Sequence, residues 1–142
     1  MPADIGRRCQ AVERCYEFML AYAAQGLASE TGNPSGTQIR EVLQRAVDAL
    51  SGLAAAYVTA VKDDGLDSAE KYFAFLDVLD RDAHDSLRII ELVLAQPVIS
   101  SQLIDNLNAS IHLRALLTDL FLVSDVLTQR IQWRPADSAV AG

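Results

Sequence analysis

Apolar residues recur along this chain at steps of three and four, the period of an α-helix that turns one face inward. Over about residues 4–30, Ile5, Cys9, Val12, Tyr16, Met19, Ala23 and Leu27 make one stripe, and Ala11, Cys15, Phe18 and Tyr22 widen it enough to meet two neighbours. Asp4 is placed to cap its start. A second stripe, over about 37–62, carries Ile39, Leu43, Ala46, Leu50, Ala54, Tyr57 and Val61, and Ser35 and Gln38 stand before it in capping-box spacing. Gly52 falls inside this pattern at a cost of about 1 kcal/mol relative to alanine, which close approach of a partner helix over Ala54, Ala55 and Ala56 would offset.

The third pattern, over about 68–95, opens with Asp67 and Glu70 in the same capping spacing and runs a seam through Leu76, Leu79, Ala83, Leu87, Ile90 and Leu94. Its other face, with Asp77, Arg81, Asp85, Arg88 and Glu91, is charged. Pairs at these spacings contribute only a few tenths of a kcal/mol, so this face serves solubility. The fourth begins soon after Pro97 and continues to about Trp133, where Arg134 and Pro135 stop it. Between Ile111 and Leu127 it is apolar on nearly every side, more than one bundle needs for its interior.

Turn residues separate the patterns at 31–36, 63–65 and 96–97. Short connections between long helices predict an all-α, up-and-down antiparallel four-helix bundle over residues 1–134, with 135–142 as a flexible C-terminal tail. A chain of 142 residues is long enough for one domain that buries about two thirds of its unfolded surface.

Charge narrows the partners. The net charge of -7 and the scattering of the basic residues argue against nucleic acid and anionic lipid. Arg114, Asp119 and Asp125 interrupt the fourth pattern, which argues against a membrane span. Arg7 and Arg8 are followed by Glu13, Arg14 and Glu17, so no apolar signal segment follows them and a cytoplasmic location is expected. Cys9 and Cys15 share one helix in positions that cannot be bridged without breaking it, and are expected to be reduced, small core or boundary residues.

The sequence holds no nucleophile elbow and no glycine-rich phosphate loop, and no cofactor is implied. Asp77, Asp80 and His84 lie along one side of a helix, the spacing that can hold a divalent metal, and with Asp105 they are the best residues for a metal-dependent enzyme. No Glu-x-x-His unit of a di-iron bundle accompanies them. Asp80 and Asp82, two apart on a helix, point in different directions. His84 and His112 are spaced much as the haem histidines of globins, but too little chain follows His112 to close such a pocket. His112, Arg114 and Asp119 form a candidate polar ligand pocket inside the bundle, the basis for a small-molecule sensor.

The leading expectation is a non-catalytic protein-binding module: an adaptor, chaperone or regulatory subunit. The surplus apolar surface of the fourth pattern is expected to be covered by a symmetric homodimer through Leu113, Arg114, Leu117, Leu120, Phe121 and Leu127, or by a helical segment of another protein.

Overall fold

The computed structural model describes residues 3–132, with the side chains of 130–132 outside that description. Trp133, the Arg134-Pro135 stop and the expected 135–142 tail lie outside the described residues. The described residues form six helices: α1 (Ala3–Ala24), α2 (Pro34–Leu50), α3 (Leu53–Asp64), α4 (Ala69–Leu94), α5 (Ser101–Asn108) and α6 (Ile111–Gln132). All-α character agrees with the periodicity, but the expected simple four-helix bundle is wrong. Two of the four periodic patterns are broken in the middle, and the six pieces pack in a more complex way.

The first break falls at Gly52, whose φ of 82° lies in the left-handed region that glycine enters without steric cost. It ends α2 and restarts the chain as α3. Arg8 of α1 seals the exposed end of α2, its Nη1 donating to the carbonyls of Ala49 at 2.9 Å and Ser51 at 2.6 Å. A cation on the last carbonyls of a helix is favoured by the dipole there. The second break, at Ala109 and Ser110, has no glycine or proline; Ser110 Oγ accepts the backbone N–H of His112 at 3.3 Å and so begins α6.

The helix starts differ from the expected capping boxes as well. Asn33 rather than Ser35 caps α2, its Oδ1 accepting from the Ser35 backbone N–H, with Pro34 in the first turn. At α4 the cap position is Ser68, at φ 60° and without a side-chain cap, rather than Asp67. Asp4 lies inside the first turn of α1, where it pairs with Arg8 at 2.9 Å.

The core is one cluster drawn from every helix, with Met19, Tyr22, Ile39, Leu43, Tyr57, Leu79, Ile104 and Leu116 fully enclosed. α1 rests chiefly on α2 and α5, while α4 packs on α6, α3 and α2. A polar knot closes one end of this arrangement. Arg40 of α2 pairs with Glu30 and donates to the carbonyls of Leu94 at 2.9 Å, the last residue of α4, and of Gln96 at 2.8 Å, just beyond it. Glu30 Oε1 also accepts the Ile99 N–H at 2.9 Å, and Tyr22 Oη donates to the Ile99 carbonyl at 2.7 Å. Ser101, at the start of α5, donates to the Tyr22 carbonyl and accepts from the Leu27 N–H, so backbone groups of α1 and of the segment after it find partners there.

Candidate functional site

α4 and α6 run antiparallel along a single seam. Tyr72 and Phe75 of α4 lie with Val123 and Val126 of α6; further along, Asp82 faces Asp119, and Ser86 Oγ donates to the His112 carbonyl at 3.1 Å. On α6, residues 119, 122, 123 and 126 fall on one face by the three-and-four rule, as do 72, 75, 79 and 82 on α4. The same two faces therefore build an apolar groove and, one turn of α6 away, a pair of carboxyl groups.

The groove has a volume of about 240 Å³ and is lined by Lys71, Tyr72, Phe75, Leu122, Val123 and Val126. Its floor is the buried Val123. Leu122 is 50% exposed on its wall, and Phe121, next to it, is 60% exposed. Small-molecule pockets typically enclose about 300–1,000 Å³. The groove is below that range and has the size of a socket for one large side chain.

Asp119 is buried, and its Oδ2 has no hydrogen-bond partner among the described residues. Desolvation, followed by the hydrogen bond and negative charge of Asp82, pushes its carboxyl up to about 7. Burial and the facing Asp82 carboxyl thus both favour the protonated form of Asp119.

The structure separates the expected ligand pocket. Asp119 is in the seam, whereas Arg114 is exposed and makes no ion pair with it; five residues along a helix put the two side chains about 140° apart. His112 is exposed at the far end of α6, its Nδ1 3.8 Å from Asp85 Oδ2. The candidate metal ligands also fail to gather. His84 Nδ1–H donates to the Asp80 carbonyl at 2.8 Å and lies 3.3 Å from its carboxylate, while Asp77 and Asp105 are exposed, the latter on α5. Among the described residues, no three His, Cys, Asp or Glu side chains converge as metal ligands.

Of the expected dimer contacts, Leu113, Leu117, Leu120 and Leu127 are taken up by the chain's own core. Arg114 and Phe121 remain exposed. Nothing in the sequence singles out Lys71, Tyr72, Phe75, Leu122 and Val126 as site residues. They look like ordinary seam positions, and only the register between α4 and α6 brings them to one groove. Both cysteines are free; burial pushes the Cys15 thiol up to about 12, and Cys9 Sγ lies 3.3 Å from Tyr57 Oη, which also meets Ser124 Oγ at 3.1 Å.

No described helix is long and apolar enough to cross a membrane. No protein-family model matches the chain, and no curated protein or solved structure matches it either.

Proposed function

We propose that this chain is a non-catalytic protein-binding domain whose contact surface is the α4–α6 groove and whose occupant is a second copy of the chain. One observation carries this reading: knob and socket stand on the same patch. Phe121 projects beside a groove of about 240 Å³ that its neighbour Leu122 helps to line. A two-fold contact demands such self-complementarity, because each surface must be both donor and receiver of the same side chain. Exposed Lys71 at the groove and exposed Asp125, one turn beyond Leu122, put both signs of charge on the patch. Two chains of net charge -7 can then meet there without like charges facing across the contact.

Phe121→Asp is the direct test. Its side chain is 60% exposed, so the substitution is expected to leave helical circular dichroism and the unfolding midpoint nearly unchanged while reducing self-association at least tenfold. Unchanged self-association would overturn the assignment of this patch. Global unfolding would place Phe121 in the intrachain core and overturn it too. A wild-type chain that stays monomeric, yet binds an apolar amphipathic peptide in the groove, would transfer the site to a heterologous partner and remove the homodimer.

A further inference from the structure

A second cleft, between α1 and α2, gathers cationic side chains where the groove has only Lys71. It has a volume of about 200 Å³ and is lined by Arg7, Gln10, Ala11, Arg14, Val42 and Arg45. Three guanidinium groups and an amide therefore border one hollow in a chain that is otherwise acidic, and no carboxylate is among the lining residues. Arg7 has only a long 3.8 Å contact to Asp4, and Arg45 is held by Glu41 one turn back on its own helix. Arg14 makes no hydrogen bond or ion pair among the described residues. Of the three arginines, Arg14 is thus the one without a carboxylate partner among the described residues, and Arg7 is held only at long range.

We infer that this cleft binds a small diphosphate-type anion. Arginine presents paired donors that match phosphoryl oxygens, and an anion between such groups relieves their repulsion. Arg7 and Arg14 are seven residues apart, about 10 Å along the helix, with Arg45 facing them from α2. That span suits two linked phosphoryl groups better than one. The exposed acids Glu13, Glu17, Glu41 and Asp48 on the same two helices repel an extended polyanion, whereas a compact one reaches the cleft without lying across them.

Titration calorimetry of the full chain with sodium pyrophosphate, at fixed ionic strength and pH 7.5, tests the assignment. Saturable one-to-one binding is expected, weakened at least tenfold in Arg14→Gln and separately in Arg45→Gln, and unchanged in Arg88→Gln on α4. Neither substituted arginine in the cleft bonds outside its own helix, and circular dichroism of each variant verifies its fold. No saturable heat, equal binding by both cleft variants, or an equal response to sulfate at matched charge concentration would overturn the site. Tighter binding of a single-stranded oligonucleotide than of pyrophosphate would overturn the compact-ligand assignment. Retention of a nucleoside diphosphate at least as tightly as pyrophosphate supports it and identifies the organic diphosphates as its source.

Discussion

Among the described residues, Asp119 and Asn108 each bury a side-chain oxygen without a hydrogen-bond partner, and Asp119 is the ionisable one. Its carboxyl is buried with an unpartnered oxygen, a feature that typically costs about 1–3 kcal/mol. Because its pKa is raised to about 7 from the ordinary 3.8, the folded chain holds a proton that the unfolded chain releases between those values. Stability from this group is therefore complete below about pH 4 and lost as the pH rises through 7. Glu30 works in the opposite sense. Its carboxyl is lowered, first by the hydrogen bond from Arg40, so its contribution is present at neutral pH and lost on acidification. Asp119→Asn is expected to raise stability at pH 8 by about 1–3 kcal/mol and to flatten the decline between pH 5 and 8. Urea unfolding at several pH values measures it; an unchanged slope would mean that Asp119 is ionised in the folded chain. A second residue-scale test concerns Gly36, whose added Cβ would overlap the Glu30 backbone carbonyl. Gly36→Ala is expected to lower stability by about 1–3 kcal/mol through overpacking, read from the same urea midpoints.

At the scale of elements, the sequence made the helices legible and their interruptions illegible. The stripe from Ile39 to Val61 continues across Gly52 because Leu50 and Leu53 both enter the core, so periodicity alone draws one helix where there are two. Gly52 was visible, but a glycine inside a stripe and a glycine that ends a helix look the same until its φ is known. The break at Ala109 and Ser110 had weaker marks still, a short polar run with no glycine or proline. Partners across space were equally hidden. Glu30 and Arg40 flank a turn ten residues apart, and Asp82 meets Asp119 only because of the α4–α6 register. Gly52→Ala separates the two arrangements by sign. A continuous helix would gain about 1 kcal/mol from the change. The left-handed joint is instead expected to lose about 1–2 kcal/mol, and a gain in the unfolding midpoint would contradict it.

For the whole molecule, most of the apolar excess of the last periodic segment is used inside the chain. Between Ile111 and Leu127, Leu113, Leu116, Leu117, Leu120, Val123 and Leu127 pack into the common core, and the large apolar residues left exposed are Ile111, Phe121 and Leu122. The exposed apolar surface of this segment is thus smaller and more sharply placed than the sequence alone indicated. A standard interface takes about 800 Å² from each partner, roughly a tenth of the 8102 Å² accessible surface of this chain. The hot spot of the contact is expected to be Phe121 in the socket of the partner, with Lys71 and Asp125 setting orientation rather than affinity. Sedimentation equilibrium from low to high micromolar concentration tests this account most directly. A monomer–dimer equilibrium is expected, tending to twice the 15.4 kDa chain mass as concentration rises; monomer mass across the whole range would contradict the homodimer.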